Sequence, residues 1–246
     1  MRGHLTATAH ALLIVCAVGV SIIPGTAQTS TRIEREVRES LHGERDLRGL
    51  GVTATGNEVV LTGVVETFWA KSEAIRRVLE VDGVETVVSE IEIPPAESDE
   101  ALATDVARAV QRYPYYTLFD LLDGNINEGV VTLTGKVTPG RDKVNELFER
   151  VAKIPGVQDI QNQIARLTPS SEDDNLRRAI ARQLFRTAGF ERFSSQQNPP
   201  FRIIVDKGVV TLVGYVQSDI ERIQIEQIAR QTRGVLRVEN LLQTMS

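Results

Sequence analysis

One seven-residue phrase is written three times in this chain. It reads NEVVLTG at 57–63, GVVTLTG at 129–135 and GVVTLVG at 208–214. Val131 and Leu133 alternate with Thr132 and Thr134, and Val210 and Leu212 repeat the pattern. A period of two is that of a half-buried strand. The runs follow "NE", "NEG" and "DKG". Asn and Gly there tolerate the positive φ that tight hairpins need. Each phrase is therefore the second strand of a hairpin, with first strands at 50–55, 118–126 and 201–205.

The likeness continues downstream. Each strand closes at a glycine, Gly63, Gly135 or Gly214, and a capping residue follows: Thr67, Thr138 or Ser218. Pro139 suits a first helical position, and Ser218 with Glu221 has capping-box spacing. Helical spacing then places Ala74, Val78 and Leu79 on one face. Val144, Leu147, Phe148 and Val151 do the same in the second copy, and Ile225, Ile228 and Ala229 in the third. A second glycine, Gly83, Gly156 or Gly234, lies 20, 21 and 20 residues after the first. Glycine there is expected to end the helix in the left-handed conformation. A last strand follows each. Upstream of each hairpin an i, i+4, i+8 stripe marks another helix: Ile33, Val37, Leu41; Leu102, Val106, Val110; Leu176, Ile180, Leu184. The expected starts are Thr31 with Glu34, Ser98, and Ser171 ahead of the acids at 172–174.

The fold class is thus α+β: three tandem α-β-β-α-β units. Each is a three-stranded mixed sheet with two helices on one face, its strand-helix-strand part a crossover between parallel strands. The expected bounds are 28–96, 97–167 and 168–246, joined at Pro- and Ser-containing segments. Aromatic residues are only 5% of the chain, so the small cores must be filled by Val, Ile and Leu.

Residues 1–27 are expected to stand apart. A short basic start precedes a 13-residue apolar run at 11–23, and PGTA follows. This is the pattern of a secretory signal peptide cleaved near Ala27; an uncleaved anchor is the other reading. Cys16, the single cysteine, lies within it, so the remainder has no thiol chemistry. The remainder holds 27 basic and 33 acidic residues, a net −6. That balance disfavours non-specific nucleic-acid binding.

The pattern resembles the BON domain, named for bacterial osmotic-shock and nodulation proteins. The residues that carry the resemblance are the repeated strand, the glycine about 20 residues on, and a final strand of the form GVxxIxNxI. That form is complete at Gly156, Val157, Ile160, Asn162 and Ile164. It is nearly complete at Gly234, Val235, Val238, Asn240 and Leu242. In the first copy Ser89 replaces the Asn, which makes it the most divergent. The resemblance implies an exported, periplasmic or envelope module without catalysis. Its implied partners are phospholipid surfaces or envelope proteins, in osmotic or envelope stress or in transport.

No catalytic constellation is visible. His42 is the only histidine outside residues 1–27, beside Gly43 at an expected helix end. A lone histidine forms neither a soft metal site nor a triad. No phosphate-binding glycine motif occurs. Glu172, Asp173 and Asp174 are either a hard-cation site or helix-start acids that suit the dipole. No cofactor is expected.

Two features are candidates for binding lipid or a partner. Phe68 and Trp69 open a helix, where a Trp ring can wedge into a lipid interface. The alternatives are a hydrophobic staple or a contact between repeats. The second feature is charge. Residues 31–96 carry −5, 97–167 carry −3, and 168–246 carry +2. Arg178, Arg182 and Arg186, with Arg177 beside them, form an expected exposed stripe opposite Leu176, Ile180 and Leu184. Such a stripe meets phosphates or an acidic protein, or is simply solvated. The segment 186–200, with Phe190 and Phe193, is either functional or merely a long loop.

Overall fold

The computed structural model describes residues 24–196 and 198–245. It contains three units of one topology. The first comprises α1 (Pro24–His42), β1 (Gly51–Thr55), β2 (Glu58–Val64), α2 (Phe68–Leu79) and β3 (Thr86–Glu92). The second comprises α3 (Asp99–Gln111), β4 (Leu121–Asn127), β5 (Val130–Val137), α4 (Lys143–Ala152) and β6 (Asp159–Arg166). The third comprises α5 (Ser171–Leu184), β7 (Phe201–Asp206), β8 (Val209–Val216), α6 (Asp219–Gln231) and β9 (Arg237–Thr244). In each sheet the repeated phrase is the middle strand. It pairs antiparallel with the hairpin partner and parallel with the strand after the helix.

Inward strand positions and the two helical stripes close three cores. Val59 and Leu61 meet Ile33 and Val37; Val131 and Leu133 meet Leu102 and Leu147; Val210 and Leu212 meet Ile180 and Ile225. Gly135 shows why the phrase ends in glycine. Its φ is +127, and a Cβ there would lie 2.1 Å from the Leu121 carbonyl oxygen. No side chain fits that approach.

The hairpins turn on two residues. Glu128–Gly129 and Lys207–Gly208 have positive φ at both positions, the combination of a type I′ turn. The left-handed non-glycine residues are thus Glu128 and Lys207 rather than Asn127. An acid at the start of the first helix holds each turn. Asp99 accepts from the Glu128 and Gly129 amides at 2.8 and 2.9 Å. Asp173 accepts from Lys207 and Gly208 at the same distances. In the first unit Ser30, three residues before Ile33 as Asp99 is before Leu102, accepts from the Gly56 amide at 2.9 Å.

Several local expectations are corrected. Residues 1–23 of the expected signal peptide lie outside the described residues. Residues 24–27, the last four of that expected segment, are helical and continuous with the rest of α1. Thr31 is therefore inside α1 and does not cap it. Thr138 does not cap α4, which starts at Lys143; its amide and hydroxyl instead donate to buried Asp120. The cap of α5 is Ser170, one residue before Ser171. Leu79 is exposed at the end of α2. Gly83, Gly156 and Gly234 have positive φ, but lie in the turn beyond the helix end. Thr67, Ser98 and Ser218 do cap, accepting from Ala70, Ala101 and Glu221 amides.

Candidate binding surfaces

Phe68 and Trp69 begin α2 of the first unit and turn toward the second. Phe68 meets Phe148 of α4 edge to face at 6.2 Å between ring centres. Trp69 packs against the second core, and the Lys153 ammonium lies 4.9 Å over its ring. Both side chains are half-buried in a contact between units.

The arginines of α5 divide. Arg177 is 3% exposed, so it is not part of an exposed stripe. Asp174 neutralises it at 2.6 Å, and its Nη2 donates to the Val205 carbonyl at 2.5 Å. It covers the edge of β7. Arg186 lies beyond the C-cap Phe185, not on the helix. Arg178, Arg182 and Arg186 are exposed. Arg178 donates to the Asn175 side chain. Arg182 and Arg186 form no ion pair among the described residues. In α1, by contrast, Arg32, Arg35 and Arg38 each face an acid four residues away.

The acids at 172–174 serve the helix start. Asp173 holds the hairpin turn, Asp174 pairs with Arg177, and Glu172 accepts from Ser170. Its own backbone amide, then Ser170, hold the Glu172 carboxyl below its ordinary pKa. No cluster of three potential metal ligands occurs among the described residues. His42 Nδ1 lies 2.7 Å from the Arg38 carbonyl, at the C-terminal turn of α1. Phe190 and Phe193 are buried in the third core, so the segment around them fills space.

Two features escaped the sequence reading. The first is a buried ion pair between Asp120, just before β4, and Lys143, the first residue of α4, at 2.7 Å. The second is a groove of about 500 Å³ between α3 and β4. Val106, Val110, Leu122 and Ile126 line it, Glu100 stands at one end and Arg202 of the third unit at the other. The signal for it was Ala103 and Gly124, small residues where both sister units carry larger ones, with Ala107 where the first unit has Arg38.

Three small α-β-β-α-β units of one topology define a tandem repeat of one domain as the class of protein. The BON domain model matches residues 29–95 and 172–245, more than half of the sequence. The chain belongs to the BON domain family. The middle unit lies outside both matched regions yet has their topology. Among solved structures, one similar chain is the C-terminal domain of CdsD, a structural protein of the type III secretion system of Chlamydia trachomatis. Identity is 14%, with 86% of this chain and 96% of that one covered and a TM-score of 0.25. Another is the PrgH periplasmic domain, at 15% identity, 85% and 99% coverage and a TM-score of 0.20. No curated protein matches. No helix among the described residues is long and apolar enough to cross a membrane.

Proposed function

We propose that this is an exported, non-enzymatic envelope protein of three tandem BON domains that associates with anionic phospholipid surfaces through its third domain. In this reading residues 1–27 are a signal peptide, and the domains span 28–96, 97–167 and 168–246. The observation that carries it is the exposure of Arg178 and Arg182 on α5, and of Arg186 just beyond its C-cap, on the one unit with a net positive charge. An isolated cation on a helix flank keeps its full field, whereas one paired with an acid four residues away does not. Each basic group at an anionic leaflet contributes on the order of 1 kcal/mol. Three give a weak, reversible, salt-sensitive contact. Trp69 stays with the second unit and takes no part.

The test is co-sedimentation of the purified protein with phosphatidylglycerol and with phosphatidylcholine vesicles, at low and high salt. Binding to the first only, lost at high salt, is expected. Replacing all three arginines by alanine should weaken it about a hundredfold, from about 3 kcal/mol. Absence of salt-sensitive binding by the folded protein overturns the reading. The Trp69 emission should not shift when vesicles are added.

A further inference from the structure

The same slot lies between the first helix and the edge strand of every unit. Two units close it. Superposing the helical stripes aligns Glu34, Ala103 and Arg177, and also Arg38, Ala107 and Ala181. Strand register aligns Val52, Gly124 and Ile203 opposite Leu61, Leu133 and Leu212. In the first unit Arg38 donates to the Val52 carbonyl at 3.0 Å. In the third, Arg177 takes the Val205 carbonyl, and the Ile203 amide donates to the Leu118 carbonyl at 2.9 Å. Leu118 comes from the second unit, and its side chain is buried in the third core. The middle unit has only Ala103, Ala107 and Gly124 at these places, and its slot is the open groove.

The backbone there is directed outward. The two-residue turn makes Asn127 and Val130 a hydrogen-bonded pair, so Leu122, Gly124 and Ile126 point their amides and carbonyls away from β5. These same residues send their inward side toward α3. Among the described residues the Gly124 amide meets the side chain of its neighbour Asp123, at 2.8 Å. At the matching place in the third unit the chain itself supplies an added segment, through Leu118. The rim is acidic on balance: Glu100 and Asp123 form no ion pair among the described residues, the one cation on it, Arg202, lies over the Tyr116 ring and donates to the Pro199 carbonyl, and residues 97–167 carry −3.

We propose that the β4 edge and its groove take an extended segment of a partner protein as a fourth strand, with apolar side chains at alternate positions and basic residues beside them. Added strands gain affinity from main-chain hydrogen bonds, and specificity from pockets for alternate side chains. The apolar floor takes one face of the segment, and Glu100 and Asp123 take its cations. This surface is separate from the Arg178 row, so it does not rest on the lipid reading.

The probe is a fluorescein-labelled peptide, Lys-Val-Ser-Val-Lys-Val-Ser-Lys, titrated into the purified protein and followed by anisotropy and amide hydrogen exchange. Saturable binding that slows exchange within residues 121–127 is expected. Ala103→Arg and Ala107→Arg copy the covers of the third and first units on exposed helix positions. Each should weaken binding at least about tenfold while leaving exchange in the rest of the sheet and vesicle binding unchanged. A peptide with serine for every valine should not bind. The proposal is overturned by absence of saturable binding, by protection at another strand, or by equal affinity in both arginine variants.

Discussion

Replacing Asp120 by alanine should cost the second unit more than any other single polar change. Its carboxylate is fully buried and accepts from five donors. The Thr117 amide and hydroxyl donate at 2.8 Å each. The Thr138 amide and hydroxyl donate at 2.7 and 2.9 Å, and Lys143 Nζ at 2.7 Å. Lys143 is only 5% exposed, and its one other partner is the Thr138 hydroxyl. Asp120→Ala therefore strands an ammonium and two amides, and breaking a buried pair from one side costs about 3–5 kcal/mol. Lys143→Met leaves Asp120 four of its five donors, so its cost should be smaller, about 1–3 kcal/mol. The double variant should be less destabilised than Asp120→Ala alone, because no unpaired charge stays behind. A chain of three units need not unfold in one step. Local stability is therefore measured by native-state hydrogen exchange across β4 and α4. A Lys143→Met cost equal to or above that of Asp120→Ala, or an Asp120→Ala cost below about 1 kcal/mol, refutes this account.

Three further outcomes are expected. Ser89→Ala should stabilise the first unit by about 1 kcal/mol in hydrogen exchange, because the Ser89 hydroxyl is shut off from solvent with no hydrogen-bond partner; a loss of stability contradicts this. Asp173→Ala should loosen the β7–β8 hairpin by about 1.5–3 kcal/mol, the range for hydrogen bonds to a charged group; unchanged exchange at Lys207 and Gly208 rules out the clamp. The Tyr113 phenol is raised from 10.0 to about 12 by burial first and then by Glu146. Its folded pKa lies above the unfolded one, so its contribution is complete below pH 10 and is lost as pH climbs to about 12; an absorbance titration whose difference from the Tyr113→Phe variant falls at pH 10 refutes it.

Local rules made the repeated core legible. Alternation in Val131 and Leu133 fixed a strand face, and the stripes through Ile33, Leu102 and Leu176 fixed the helices that cover it. Those features depend on neighbours a few residues apart. The errors arose where a distant partner decides. Thr138 has the sequence context of a cap, with Pro139 behind it, yet a buried carboxylate 18 residues upstream claims both its amide and its hydroxyl. Arg177 follows the polar side of its helix by sequence, yet a strand carbonyl 28 residues away draws it inward. For Phe68 and Trp69 a lipid wedge, a staple and a contact between repeats stood side by side, because no within-unit period records a contact with another unit such as the one with Phe148 and Lys153.

The same long-range logic explains why three copies of one fold need not do one job. The inward positions are constrained by packing, so Val59, Val131 and Val210 stay alike. The slot above the edge strand is not so constrained, since an arginine, an added segment or nothing at all leaves the sheet intact. In the first unit Arg38 covers it, and α1 and α2 keep their arginines in internal ion pairs. In the third, Arg177 and Leu118 cover it, and the positive charge left over on α5 faces solvent. In the second the slot is open and its rim acidic. A bound strand there would lie next to the 113–120 segment, which already joins the second unit to the third through Leu118, Tyr116 and Arg202. Whatever occupies the groove therefore lies beside the junction of these two units, not on an isolated patch.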